Sequence, residues 1–109
     1  MVKEIKIGDK AYKMSNTMWS HKIYVEQFGT DMFTDISNVQ KLAKDMKDID
    51  VEITGKFIDV ALKVAYAMIL DAETEISWKD FNKSIDNISE NQSWILEVIQ
   101  FATTFRGKN

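Results

Sequence analysis

The residues that most often carry catalysis or bind metals are sparse in this chain. It has one histidine, His21, and no cysteine. A nucleophilic triad needs a base beside the nucleophile and a third group that orients the base, and a structural zinc site needs several nitrogen or sulfur ligands. A single histidine without such neighbours supplies neither site. We therefore interpret His21 as a surface or half-buried side chain of a helix.

Two short acidic runs are the remaining candidates for a cation site. Positions 48–50 carry two aspartates, and positions 71–75 carry an aspartate and two glutamates. The second run begins with the spacing of a calcium-binding loop, but such a loop needs glycine at its sixth position and glutamate at its twelfth. Those positions are Ile76 and Asn82 here. We expect solvated acidic residues, with no metal and no cofactor.

Glycine-rich loops that bind phosphate are also missing from the sequence. The four glycines, Gly8, Gly29, Gly55 and Gly107, are far apart, whereas phosphate-binding loops group several glycines within a few residues. Pairs of carboxylates are too common in an acidic chain to specify a hydrolase. Without a catalytic constellation, the sequence predicts that the protein is not an enzyme.

Composition predicts a folded protein that consists of a single domain over residues 1–109. The chain is 45% hydrophobic and contains 12 aromatic residues, and at this length it can bury roughly two-thirds of its unfolded surface. Its net charge is −3 and its lysines are scattered, so we expect no nucleic-acid partner. The N-terminus lacks the apolar core of a signal peptide, and no apolar run is long enough to span a bilayer. We expect a soluble, intracellular protein without a membrane partner.

The elements that must position any functional side chain begin with a hairpin over residues 2–14. Apolar and charged residues alternate in Val2–Ile7 and Ala11–Met14, on either side of Gly8-Asp9-Lys10. This alternation around a turn predicts two short antiparallel strands. An isolated two-stranded hairpin is only marginally stable in water, so its apolar face must rest on helices.

Residues 15–106 are predicted to form a bundle of about five helices. Start signals lie at Ser15/Thr17, Ser37, Ser77 and Ser89, and Gly29 is a stop signal after a first helix at about Thr17–Phe28. Residues 32–36 could form one preceding turn before the Ser37 helix, and Asp48-Ile49-Asp50 is expected to end it. The fold class is mainly α (α+β), with a short N-terminal hairpin packed on the helices and a frayed tail at residues 107–109.

Two of the predicted helices have broad apolar surfaces. The central one, at about Thr54–Leu70, has a single narrow charged stripe of Lys56, Asp59 and Lys63, which indicates packing on several sides. The last helix carries two apolar stripes. Ile95, Ile99 and Ala102 form one, and the other consists of Trp94, Val98, Phe101 and Phe105. Either the last helix is wedged between neighbours, or the stripe with Trp94 binds a partner or another copy.

The whole chain resembles the tail assembly chaperones of long-tailed, siphovirus-type bacteriophages, especially those of Gram-positive hosts. The similar features are the hairpin at residues 5–12, the helix end and turn at residues 28–33, the central segment Ala65-Tyr66-Ala67-Met68-Ile69 and the segment Ile76-Ser77-Trp78-Lys79-Asp80-Phe81. These are architectural features and include no active-site motif.

The resemblance implies a protein that works by binding. Such chaperones bind the helix-rich tape measure protein, keep it soluble and promote assembly of tail tube subunits around it. The implied partners are the tape measure protein and the tail tube protein, and a homo-oligomer is left open. The implied location is the host cytoplasm during virion assembly, and the chaperone is absent from the mature virion.

The resemblance also raises the question of a programmed frameshift, because the family often makes a longer form in this way. If the codons of Gly107, Lys108 and Asn109 are GGA, AAA and AAC, the message contains the slippery heptamer A AAA AAC. The other interpretation is an ordinary polar tail. The nucleotide sequence decides between them.

A small acidic inhibitor or antitoxin-like binding protein is the alternative function. It would block a basic partner through complementary charge. That function favours acids gathered on one face, whereas the acids of this chain are interspersed with lysines.

Overall fold

The computed structural model describes residues 2–45, 51–85 and 93–107, with side chains at 2–41, 55–85 and 93–104. Within these ranges the fold is α+β, mostly helical with one antiparallel hairpin, as predicted. The elements in chain order are β1 (Val2–Ile7), β2 (Lys10–Ser15), α1 (Met18–Phe28), α2 (Met32–Asp45), α3 (Val51–Asp71), α4 (Trp78–Lys83) and α5 (Ser93–Gly107).

The hairpin pairs its two strands residue by residue, from Val2 opposite Ser15 to Ile7 opposite Lys10. Gly8 takes a positive φ of 66° in the two-residue turn, a conformation that glycine adopts without strain. Ile5 and Ile7 of β1 are buried, while Glu4 and Lys6, which alternate with them along the strand, are exposed. The hairpin therefore has one face in the core and one face in solvent.

Helix α1 has the predicted start and end. Thr17 is its N-cap, and the Thr17 hydroxyl oxygen accepts a hydrogen bond from the Trp19 N–H at 3.1 Å. Gly29 is the C-cap with φ 77°, and its N–H donates to the Val25 carbonyl. Tyr24 and Phe28 are four positions apart on this helix, and their rings are in contact, with centroids 5.2 Å apart. The Thr17 start and the Gly29 stop are therefore confirmed, whereas Ser15 belongs to β2 and not to the helix start.

The predicted start of the second helix at Ser37 is wrong, because α2 begins five residues earlier, at Met32. The Asp31 carboxylate accepts a hydrogen bond from the Thr34 N–H at 2.9 Å, which is the geometry of an N-cap. From this start, Met32, Ile36 and Val39 lie on one buried face. The predicted break at residues 48–50 lies outside the described residues.

Helix α3 is the centre of the fold, as predicted. It packs against the four other helices and against β2, and residues 64–69 are all buried. The charged stripe faces outward, where the Lys63 ammonium lies 3.1 Å from the Asp59 carboxylate. The helix begins at Val51, three residues before the predicted start.

The last two helices complete the core. Ser77 caps α4 as predicted, since its hydroxyl oxygen accepts a hydrogen bond from the Asp80 N–H at 3.0 Å. The predicted start of the last helix at Ser89 lies outside the described residues, and α5 extends to Gly107, one residue past the predicted end of the bundle. Over the described ranges, every helix is too short or too polar to cross a membrane.

Candidate protein-interaction site

The stripe of α5 predicted to face a partner lies in the core at the three positions whose side chains are described. Trp94 is 3% exposed, Val98 0% and Phe101 5%. Helix α5 packs against both α3 and β1, which explains why its apolar arc is wide. This burial agrees with the wedged-helix interpretation and removes these three side chains from the free surface. The side chain of Phe105 lies outside the described residues, and partner binding through the stripe stays a prediction.

Exposed apolar side chains are concentrated instead on α1. Trp19 is 58% exposed, Met18 57% and Val25 48%. Met18 and Val25 are seven residues apart, so they lie on the same side of the helix two turns from each other. Together with the exposed charged residues between and beside them, they form the exposed α1 face, which consists of Met18, Trp19, Lys22, Val25 and Glu26.

The start of this face is fixed by a hydrogen bond to the end of α3. The Asp71 carboxylate accepts hydrogen bonds from the Thr17 N–H at 3.1 Å and from the Thr17 hydroxyl at 2.7 Å. The same hydroxyl oxygen accepts from Trp19, so one side chain joins the carboxylate to the first turn of α1. Asp71 belongs to the acidic run considered for metal binding, and here it acts as an acceptor for a helix cap.

The opposite side of α1 holds the helix on the core. Tyr24 is fully buried, and its hydroxyl donates to the Asp35 carboxylate at 2.7 Å. Burial, together with this hydrogen bond to a carboxylate, raises the pKa of Tyr24 far above its usual value. Farther along, the Phe28 ring lies 4.9 Å from the Trp78 ring of α4. These contacts fix the orientation of α1 and leave the other side in solvent.

A shallow, open cleft of about 440 Å³ adjoins the exposed α1 face. It is lined by His21, Lys22, Val25, Glu26 and Asp31. The His21 ring is half-buried, as the sequence predicts, and packs on the ring of Phe33 at 4.2 Å between centroids. Burial lowers the pKa of His21, and the charges of Asp31 and Asp71 partly oppose that shift. The half-buried position therefore favours the neutral form of the imidazole.

The chemistry available at this site is that of a binding surface. Apolar side chains are surrounded by one lysine and two carboxylates, a pattern with no strong overall sign. Among the side chains that the structure describes, no three histidine, aspartate or glutamate residues lie close enough together to hold a metal ion. The cleft is too open to enclose a small molecule. Exposed apolar patches of this kind are typical of protein-interaction sites.

Sequence reasoning missed this face because α1 carries apolar residues on both sides. The i,i+4 spacing pairs Trp19 with Ile23 and does not show that their exposures differ, with Ile23 8% exposed and Trp19 58% exposed. The useful signal is that Met18 and Val25 lie on the side of the helix opposite the buried Ser20 and Tyr24. Apolar residues on two opposite sides of one helix indicate a second contact.

Comparison of the chain with known proteins gives no relative from which a function could be inferred. No protein-family model matches it, and neither do any of the curated proteins or solved structures.

Proposed function

We propose that this protein is a tail assembly chaperone of a long-tailed bacteriophage, which binds the tape measure protein, keeps it soluble and promotes tail tube assembly around it. The observation that supports the proposal is the exposed α1 face, where Met18, Trp19 and Val25 are about half exposed or more. The resemblance of the hairpin and helix sequences to this class of chaperone supplies the partner. The proposed work is reversible binding without covalent chemistry.

The shape of the exposed α1 face suits a helical partner. An amphipathic helix presents apolar residues three, four and seven positions apart, which matches the two-turn spacing of Met18 and Val25. Trp19 widens the apolar contact, and tryptophan is among the residues that most often dominate binding energy. Lys22 can pair with an acidic residue and Glu26 with a basic residue at the edge of the partner helix. Such exposed ion pairs add little to the affinity and mainly orient the partner helix.

Weak individual contacts are compatible with this function. The apolar part of the face has only three large side chains, so one copy is expected to bind a single helix loosely. A tape measure protein is long, and many chaperone copies can cover it side by side. Such an arrangement coats the partner firmly while each contact remains easy to displace during tube assembly.

Co-expression with a helical tape measure fragment tests the proposal. We expect the wild-type protein to raise the fragment's solubility and to co-purify with it. Trp19→Asp and Val25→Glu are each expected to weaken the complex by about 2 kcal/mol, or roughly thirtyfold in Kd, because they place charge in the apolar contact. Isothermal titration calorimetry measures the change, and circular dichroism checks that the variants remain folded.

Leu96→Glu is the matched control, since Leu96 of α5 is 61% exposed but lies outside the exposed α1 face. It should leave binding unchanged. If Leu96→Glu weakens binding as much as the α1 substitutions do, the binding site is not specific to the exposed α1 face. If the fragment is equally insoluble with and without the wild-type protein, the chaperone function itself is wrong. Binding of a basic protein that disappears at moderate salt would instead favour the inhibitor or antitoxin alternative.

A further inference from the structure

The outer edge of β1 presents backbone groups that no other described strand pairs. The sheet has two strands, and Ile7 and Lys10 flank a two-residue turn as a hydrogen-bonded pair. Pairs alternate along an antiparallel ladder, so the N–H and C=O groups of Val2, Glu4 and Lys6 point away from β2. Within the described part of the chain, these groups have no backbone partner from another element.

The side chains beside this edge are exposed as well. Val2 is 59% exposed, and both Glu4 and Lys6 are exposed. A two-stranded sheet gains stability when further strands extend it, and an uncovered edge is a template for another strand. The occupant must therefore be an extended segment whose charges fit alternating glutamate and lysine.

Two copies of β1 are complementary in charge when they pair antiparallel. A twofold axis perpendicular to the sheet pairs residues of the same face, so that Ile5 and Ile7 stay on the core side. With the axis at Ile5, Glu4 of each copy lies opposite Lys6 of the other. Moving the axis to Glu4 or to Lys6 places like charges opposite each other, which is destabilising. Among these three registers, only the one centred on Ile5 avoids like-charge pairs and gains two attractive Glu4–Lys6 pairs.

The neighbouring strand reinforces this register. Within one chain, Glu4 lies opposite Lys13 on the exposed face, and Lys6 lies opposite the uncharged Ala11. In the paired arrangement each Glu4 lies between Lys13 of its own chain and Lys6 of the other copy. Each Lys6, which faces no acidic residue across the hairpin, acquires one.

We propose that the partner of the β1 edge is a second copy of this chain, giving a twofold dimer with a continuous four-stranded antiparallel sheet. A contact of two six-residue strands is small for a stable dimer, so the association is weak and depends on concentration. The proposal does not depend on the chaperone function, because it uses β1 and leaves the exposed α1 face free.

Charge reversal combined with sedimentation equilibrium tests the dimer. Glu4→Lys alone and Lys6→Glu alone each place like charges opposite each other twice, and each is expected to raise the dimer Kd at least about tenfold. An equimolar mixture of the two variants restores both attractive pairs and should form heterodimers. The double variant Glu4→Lys/Lys6→Glu should form homodimers as the wild type does.

Matched controls change charge elsewhere on the exposed surface. Lys10→Glu and Glu75→Lys alter the net charge by the same amounts and should leave dimerisation unchanged. Circular dichroism checks folding of every variant, and slowed exchange of the Glu4 and Lys6 amide protons in the wild type locates the contact. A wild-type protein that stays monomeric at its highest attainable concentration overturns the proposal. Dimers that survive each single reversal, or single variants whose mixture stays monomeric, overturn it equally.

Discussion

Asp71 shows how a single carboxylate positions the exposed α1 face. It accepts two hydrogen bonds from Thr17, one of them from a backbone N–H that no helix turn satisfies. We expect Asp71→Ala to lower the free energy of unfolding by about 2 kcal/mol, because it removes a charged acceptor and leaves this N–H without its partner. Urea denaturation measures the loss as a lower midpoint with an unchanged slope.

Glu75→Ala is the control for this change, since Glu75 is an exposed acid only four positions along the chain. Its removal should alter stability by less than about 0.5 kcal/mol. Equal effects of the two substitutions would mean that general surface charge, rather than the Thr17 contact, is responsible.

At the level of elements, the start of α2 distinguishes two capping residues. The structure assigns the N-cap to Asp31, whereas the sequence pattern favours Ser37. Asp31→Ala is therefore expected to cost about 1 kcal/mol, while Ser37→Ala, in an exposed position inside the helix, should be nearly neutral or slightly stabilising. Thermal unfolding of the two variants measures the difference. A larger loss of stability in Ser37→Ala than in Asp31→Ala would indicate that the helix begins at Ser37 instead.

The caps that the sequence predicts correctly are those with local causes. Each cap hydrogen bond of Thr17, Gly29 and Ser77 joins groups at most four residues apart. The types of the nearby residues are therefore enough to predict these caps. The start of α2 was predicted wrongly at Ser37, although aspartate, the residue type at position 31, is an equally good cap. The choice depends on Met32, which gains burial when the helix begins early, and burial depends on α3 packing alongside.

At the level of the whole molecule, α5 belongs to the core more than to the surface. We expect Phe101→Ala to destabilise the fold by about 3–5 kcal/mol, because a 5% exposed ring leaves a cavity when it is removed. Its exposed neighbour Gln100 provides the control, and Gln100→Ala should change stability little. Chemical denaturation measures both. If Phe101→Ala is as stable as the wild type, Phe101 does not belong to the core.

The environment of this helix could not be read from its own residues. The pattern of α5 predicts a broad apolar arc, and the arc is real. Which part of it meets solvent depends on α3, more than twenty residues earlier, and on β1 at the start of the chain. The exposure of Trp19 has a similar origin, since no described element covers that side of α1. Local patterns thus predicted the elements, and long-range packing determined the candidate site.

The hydrogen bond between Asn16 and α5 determines when the fold can be completed during synthesis. The Asn16 side-chain amide donates to the Phe101 carbonyl at 2.9 Å, and Lys3 lies 3.7 Å from Glu97, so the first strand and the hairpin exit both contact the last helix. During synthesis the hairpin leaves the ribosome before α5. The packing of the hairpin is therefore complete only after α5 has been synthesised and has folded against it.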